Sequence, residues 1–272
     1  MQKFSISPNQ MIQSALTHRE LIWAMTKREV IGRYRGSMMG ILWSFFNPVL
    51  MLSVYTFVFS VVFKARWNAA SESKSEFAIV LFAGMIVYSL FAETVNRAPS
   101  LIVGNVNYVK KVVFPLEILP LVALGSTLFH ASISTFVWLL FYAALHGSLQ
   151  WTCLLFPLIL VPLALLTLGM SWFLASLGVY LRDVAQTVSI FTTIMMFLSP
   201  VFFSIASVPE DIRPFMRANP LTFIIEQARD VLIWGHPPDW LTLGIYTAVC
   251  MTLAWLGFAW FQKTRKGFSD VI

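Results

Sequence analysis

Long apolar stretches separated by short polar segments dominate the pattern of this chain. A helix needs about 20 consecutive, mostly apolar residues to cross the hydrocarbon layer of a membrane. Six stretches have about that length or more: residues 39–63, 77–95, 116–145, 151–181, 184–206 and 240–262. The pattern therefore predicts an all-α membrane protein with six transmembrane helices over residues 39–262, between a polar segment 1–38 and a tail 263–272.

Composition supports the same class of protein. The 272 residues are 58% hydrophobic and 12% charged, with a mean hydropathy of +0.74. Soluble domains carry roughly 25% charged residues. Because this chain has too few charges to cover a water-facing surface, most of its surface should face lipid.

The distribution of positive charge predicts the orientation. If the N-terminus is inside, thirteen of the 19 Lys and Arg residues fall in inner segments and six in outer ones. Inner loops of membrane proteins carry the excess of Lys and Arg. We therefore expect both termini in the cytoplasm, which requires an even number of spans.

The segment before the first span, residues 13–35, is predicted to be a basic amphipathic helix at the cytoplasmic lipid interface. Leu16, Trp23, Val30 and Tyr34 are spaced to share one face, although Glu20 and Lys27 intrude near it. The alternative is a flank whose charges serve only to fix topology.

Two other segments are predicted to lie outside the bilayer core. Residues 96–115, between the second and third spans, are too long for a tight turn and predict a short cytoplasmic helix. Residues 207–239 predict an outer helix, with Asn219 as N-cap, Pro220 in the first turn and Gly235 at its end. Its predicted apolar face is formed by Ile224, Ile225, Ala228, Val231 and Leu232, and its polar face by Glu226, Gln227, Arg229 and Asp230.

The motifs of several enzyme classes are absent from the sequence. It contains no G-x-x-x-x-G-K-[ST] phosphate loop, no H-E-x-x-H zinc motif and no G-x-S-x-G nucleophile elbow. We therefore predict no catalytic residues, no metal site, no cofactor bound by this chain and no nucleic-acid partner. His130 lies within the third span, where an ionisable residue is a functional candidate, but without an acidic partner in its own helix a packing role is favoured. Acidic residues avoid the span centres, which disfavours coupling to an ion gradient and indicates that energy is supplied by another protein.

Polar and aromatic side chains within the spans could line a transport path. The candidates are Ser53, Tyr55, Thr56, Phe59 and Phe63 in the first span and Gln186, Ser189 and Thr193 in the fifth. Aromatic faces stack on the C–H surfaces of sugar rings, so the aromatic row could guide a glycan. Two alternatives stay open: the polar groups could bond packed helices to one another, and the aromatic row could face lipid.

Several motifs resemble one family of transporters. Residues 27–37 read Lys-Arg-Glu-Val-Ile-Gly-Arg-Tyr-Arg-Gly-Ser, and Gly40, Trp43-Ser44-Phe45, Pro48 and Tyr55-Thr56-Phe57-Val58-Phe59 follow. Later runs are Leu181-Arg182-Asp183-Val184, Asn219-Pro220-Leu221-Thr222 and Arg229-Asp230. Together they resemble the permease subunits of bacterial polysaccharide ABC exporters, most closely those that export lipopolysaccharide O-antigen.

The resemblance implies six inner-membrane spans preceded by an amphipathic interface helix, with short periplasmic helices between the last two spans. It also implies a channel formed with a second copy of the chain and a pair of ATPase subunits that bind ATP and magnesium. The substrate it implies is a polysaccharide carried on undecaprenyl pyrophosphate, in contact with membrane lipids. The residues that correspond to the ATPase-coupling segment are Asn96, Arg97, Asn105, Asn107, Tyr108 and Lys110.

Arginine suits capture of the pyrophosphate headgroup, because its guanidinium donates two parallel hydrogen bonds to phosphate. The candidates are Arg28, Arg33 and Arg35, with a purely topological role as the alternative. Export of a capsule polysaccharide, a teichoic acid or a small drug by a related permease stays open. So does a membrane-bound enzyme that modifies lipids or glycans.

Overall fold

A computed structural model describes residues 6–62, 67, 76–110 and 114–272, without the side chains of Ser60 and Val61. Throughout these ranges the regular secondary structure is helical. The helices are α1 Pro8–Thr17, α2 Arg19–Arg33, α3 Trp43–Tyr55, α4 Glu76–Arg97, α5 Ser100–Val103, α6 Val106–Lys110, α7 Leu119–His146, α8 Phe156–Tyr180, α9 Val184–Leu198, α10 Arg213–Ala218, α11 Pro220–Arg229, α12 Trp240–Thr264 and α13 Phe268–Val271. The all-α prediction is confirmed for the described residues.

Five helical stretches are long and apolar enough to cross a membrane. They are Gly40–Phe59, Glu76–Arg97, Leu116–His146, Trp151–Tyr180 and Trp240–Val271. The most apolar window of α4 is 83% buried, whereas that of Gly40–Phe59 is 11% buried. The span α4 is therefore the centre of the bundle, and the first span lies at its edge.

The predicted fifth span, residues 184–206, is helical only over Val184–Leu198. Fifteen residues at 1.5 Å each give about 22 Å, which is short of the roughly 30 Å of a bilayer core. Ser199 is extended, with φ −100° and ψ 151°. The following Pro200 favours this, because proline disfavours the helical conformation of the residue before it. The number of six spans stays a prediction.

The predicted N-terminal helix is divided in two at His18. The predicted apolar face is only partly packed: Val30 is 5% exposed, but Leu16 is 63% and Trp23 is 72% exposed. The helix α2 instead packs Thr26 against Gly125 of α7. The intruding charges Glu20 and Lys27 account for the narrow packed face.

The helix predicted within residues 207–239 is confirmed as α11, and its position on the outer side stays a prediction. The Asn219 side chain accepts a hydrogen bond from the backbone N–H of Leu221 at 2.9 Å, and Gly235 ends the segment with φ +71°. All five predicted apolar side chains are fully buried. The assignment of Gln227 and Arg229 to an exposed polar face was wrong, since they are 8% and 4% exposed.

The Arg229 side chain joins three segments of the bundle. Its guanidinium donates to the backbone carbonyl of Val80 at 3.1 Å, of Pro200 at 2.6 Å and of Val201 at 2.9 Å, and lies 4.4 Å over the Trp67 ring. Burial lowers the pKa of Arg229 to about 9, so the group is still charged at neutral pH. These bonds hold the segment after α9 against the first turns of α4. They also explain how the charged guanidinium of Arg229 is tolerated in the protein interior.

Candidate functional site

A cavity of about 520 Å³ opens between α2, α3, α4 and α7. Its wall combines apolar side chains with a set of polar ones: Arg33, Tyr34, Ser44, Asn47, Ser89, Glu93, Thr127, His130 and Ser134. Pro48 also lines the cavity and lies inside α3. Because proline has no N–H, the Ser44 carbonyl one turn earlier lacks its helical partner. The cavity therefore brings polar side chains from four helices together within an apolar bundle.

Three ionisable side chains from three helices meet in the cavity wall. The Arg33 Nη1 lies 2.6 Å from Glu93 Oε1 and 2.7 Å from His130 Nδ1. His130 Nδ1 lies 3.3 Å from the same Glu93 oxygen, and the Tyr34 hydroxyl lies 3.3 Å from His130 Nε2. A packing role was predicted for His130 because its own helix offers no acidic partner. In the structure the acidic partner is Glu93, which comes from α4.

The three arginines proposed for headgroup binding lie at the end of α2 or just beyond it, but not in one site. Arg33 lines the cavity. Arg28 donates to the Tyr108 hydroxyl at 2.8 Å, so it faces the segment that follows α4. Arg35 is exposed, two residues beyond the end of α2. The three guanidinium groups therefore do not form one phosphate site in this chain. Of the three arginines, Arg33 is the one that lines the cavity.

The segment predicted to contact the ATPase is tied to α2 by two polar contacts. Arg97 pairs with Glu29 of α2, and Tyr108 accepts the hydrogen bond from Arg28 while its ring stacks on Phe114 at 4.4 Å. The helix α6 therefore contacts α2 directly through Tyr108, and the end of α4 contacts it through Arg97.

The other predicted coupling residues differ in their contacts. The exposed Asn96 side chain accepts a hydrogen bond from Thr192 of α9 at 3.0 Å, and the half-buried Asn105 donates to the Leu101 carbonyl at 2.8 Å. Asn107 and Lys110 are also exposed. Because Asn96 already bonds α9, Asn107 and Lys110 are the coupling candidates most available to another subunit.

The channel candidates of the first span lie at the edge of the helix bundle, where that span is placed. Ser53 and Thr56 donate to backbone carbonyls of their own helix, at 2.8 and 2.7 Å. The Tyr55 ring lies beside the cavity and 6.4 Å from Phe82, and Phe59 stacks on Phe77 at 5.2 Å. Phe63 lies outside the described residues.

A π-helical turn over Thr56–Val62 changes the register of the aromatic row. The prediction that Phe59 continues the face of Tyr55 assumed 3.6 residues per turn, and a π turn rotates the later side chains away from that face. Both rings nonetheless contact α4.

The fifth-span candidates Gln186, Ser189 and Thr193 are exposed on α9. The Thr193 hydroxyl donates to the Ser189 carbonyl at 2.9 Å. These side chains are thus on a surface of the chain rather than between its own helices.

The comparisons with known proteins agree with the helical membrane fold. A family model described as ABC-2 type transporter matches residues 20–233. The chain is 27% identical over 264 residues to the O-antigen export system permease protein RfbA of Myxococcus xanthus, covering 96% of this chain and 99% of that protein. It is 26% identical over 256 residues to RfbA of Klebsiella pneumoniae, covering 93% of this chain and 95% of that protein. It is 21% identical over 255 residues to the polysialic acid transport protein KpsM of Escherichia coli, covering 89% of this chain and 92% of that protein.

These matches confirm the family resemblance of the sequence motifs. The family match covers well over half of the residues, and the similarity to two export permeases extends over nearly the whole length of each. The chain belongs to the ABC-2 type transporter family.

Proposed function

We propose that this chain is the membrane-spanning subunit of an ATP-driven exporter that moves an O-antigen polysaccharide, linked to undecaprenyl pyrophosphate, across the bacterial inner membrane. The observation that carries the proposal is the similarity, over 93% or more of the chain, to two O-antigen export permeases. Capsule polysaccharide is the second candidate substrate, favoured by the more distant similarity to KpsM.

The proposed topology has six spans and two cytoplasmic termini. The excess of Lys and Arg in the inner segments supports it. So does the position of two ionic contacts, Arg97 with Glu29 and Arg265 with Glu117, because each joins segments that the topology assigns to the cytoplasmic end. In this arrangement α9 and the segment to residue 206 make the fifth crossing, and α10 and α11 lie toward the periplasm.

The proposed assembly contains two copies of the chain and two ATPase subunits. The low burial of the first span leaves a long apolar face for the second copy or for lipid. The exposed Asn107 and Lys110, both in α6, offer the ATPase contact. ATP and magnesium bind to the partner subunits, and this chain needs no cofactor of its own.

The proposed transport path begins at the cavity beside Arg33. There the headgroup is held at the cytoplasmic end of the bundle, with Arg28 and Arg35 on the approach along α2. The polysaccharide then passes Tyr55 and Phe59 of the first span and the polar face of α9. A moving chain needs many weak contacts rather than one tight site, as in ion conduction, and aromatic and hydroxyl groups meet that requirement.

The experiment is complementation of a strain that lacks this permease. The wild-type gene should restore surface polysaccharide, and its absence should leave lipid-linked polymer inside the cell. Replacing Arg28, Arg33 and Arg35 together by Lys preserves charge but removes the bidentate fork, so export should fall. The matched control is Arg19→Lys, on the exposed start of α2, which should export normally.

Two results would contradict parts of this proposal. Unchanged surface polysaccharide in the deletion strain would exclude the export function. Full export by the triple Lys variant, at equal permease level and with the ATPase still co-purifying, would leave the arginines only a topological role.

A further inference from the structure

A mostly buried ion pair joins the C-terminal end of the chain to the residues just before α7. Arg265 directly follows α12, and its Nη1 atom pairs with the Oε2 atom of Glu117. The two side chains are 12% and 10% exposed. Two other helices also hold Glu117, because the Ser14 hydroxyl of α1 donates to its Oε1 atom at 3.2 Å and the Trp172 indole of α8 donates to its backbone carbonyl at 2.9 Å. The carboxylate is therefore a fixed point that orients the Arg265 guanidinium.

The second arm of that guanidinium reaches the residues that follow α6. The Arg265 Nη2 atom donates to the backbone carbonyl of Phe114 at 2.8 Å. Phe114 lies outside the regular helices, so its carbonyl takes its donor from elsewhere in the fold. The Phe114 ring stacks on the ring of Tyr108 in α6, with centroids 4.4 Å apart and planes at 11°. Because the Tyr108 hydroxyl also accepts from Arg28, α6 is held between the C-terminal end and α2.

The last helix adds a second contact between the C-terminal end and the coupling segment. The helix α13 packs against both α6 and α8. Its Phe268 side chain is fully buried, and the ring lies 5.4 Å from that of Phe261 in α12 and 6.1 Å from that of Tyr180 at the end of α8. The start of the segment also rests on α8, since a Cβ atom on Gly178 would lie 2.2 Å from the Pro99 carbonyl oxygen. The end of α8 and the C-terminal residues thus form one support beneath α5 and α6.

We propose that Arg265 and Glu117 are positioning residues for the ATPase contact. Acting through the Phe114 carbonyl and the Tyr108 ring, they hold α6 in the orientation that presents its exposed residues to the ATPase. The proposal rests on the proposed function and deepens it, because it makes the C-terminal end of the chain part of the coupling contact. Buried ion pairs often add no more stability than apolar side chains of similar volume, whereas their hydrogen bonds are directional.

The test is the affinity of the full chain, in lipid nanodiscs, for the purified ATPase subunit of the same exporter, measured by surface plasmon resonance. Arg265→Met combined with Glu117→Gln, the pair variant, removes the guanidinium without leaving a lone carboxylate in the interior. Binding should weaken by about three- to tenfold, the upper value being the worth of one charged hydrogen bond. Phe114→Leu removes the stacking but leaves the ion pair, and it should weaken binding in the same way.

Three further variants separate positioning from charge and from stability. Lys266→Met with Asp270→Asn removes one charge of each sign from exposed positions of the same tail, and should bind as wild type. Arg229→Met destabilises the chain near the start of α4, whereas the coupling segment follows the end of that helix, and it should also bind as wild type. Adding Tyr108→Ala to the pair variant should weaken binding no more than the stronger of the two changes does alone, because both act through the same ring.

The outcomes distinguish this role from the proposed function. Binding by the pair variant as tight as by the exposed-tail control would overturn the positioning role. So would an equal loss in Arg229→Met, which would assign the effect to the stability of the chain. A loss with Tyr108→Ala equal to the product of the two separate losses would show that the ion pair acts independently of α6. Failure of wild type to bind the ATPase subunit would contradict the proposed assembly, and this role with it.

Discussion

Replacing Gly257 by alanine should loosen the packing of α8 against α12. A Cβ atom on Gly257 would lie 2.1 Å from the Gly169 carbonyl oxygen, and one on Gly169 would lie 2.7 Å from the Leu253 carbonyl oxygen. Both neighbours are backbone atoms, which cannot rotate away as a side chain can. Small residues at such crossings let membrane helices approach closely, so the two glycines set the distance between these helices.

The size of the effect follows from the required displacement. Ordinary van der Waals contacts of Cβ begin at 3.4 Å, so the helices must separate by about 1 Å. A gap of roughly 0.5–1 Å forfeits about a quarter to a half of the dispersion energy of each atom pair, and overpacking typically costs about 1–3 kcal/mol. Since no side chain can adapt, we expect about 2–3 kcal/mol.

The matched control is Gly244→Ala in the same helix, where a Cβ atom would meet nothing within 4 Å. Both substitutions gain about 1 kcal/mol of helix propensity, so the difference between the variants isolates the packing cost. In thermal unfolding of the detergent-solubilised protein, Gly257→Ala should melt about 5–10 °C below Gly244→Ala. If Gly257→Ala melts at or above the control, the close approach of α8 and α12 is refuted.

Three further predictions concern other contacts. Arg229→Met removes three hydrogen bonds from a charged donor, each worth about 1.5–3 kcal/mol, so its melting temperature should fall well below that of Arg217→Met, the same change at an exposed arginine of α10. Equal melting temperatures would contradict the stabilising role of these three bonds. Glu29→Arg places like charges at Arg97 and should lower export, while adding Arg97→Glu should restore it; failure of the restoration would argue against the pair. Tyr55→Ala with Phe59→Ala should reduce surface polysaccharide while ATPase activity of the complex survives, and normal export would shift the path to α9.

Five of the six predicted spans are found as long apolar helices, because the signal of a span is collective. Each span needs about 20 apolar residues, so one misjudged position does not change the result. The cap of α11 is predicted equally well, since Asn219 bonds a backbone group only two residues away. Such local interactions can be read from neighbouring residues alone.

The parts that the sequence does not predict depend on contacts between distant residues. His130 gains its acidic partner from a residue 37 positions earlier, and Arg229 is buried by carbonyls 28, 29 and 149 positions away. The π-helical turn after Tyr55 has no recognised sequence signal here, yet it changes which residues share a face with the aromatic row. Burial of a charge is decided by its acceptors, and these become visible only in the fold.

The contacts of α2 connect the cavity with the segment proposed to bind the ATPase. Near its end, Arg33 lines the cavity, while Arg28 and Glu29, about one turn earlier, contact Tyr108 and Arg97. A helix of 15 residues moves largely as a unit, because its backbone bonds are all internal. A displacement of α6 would therefore reach Arg33 through Tyr108, Arg28 and α2, without passing through the membrane spans. Binding at Arg33 would act back on the same segment, since coupling between two sites is reciprocal.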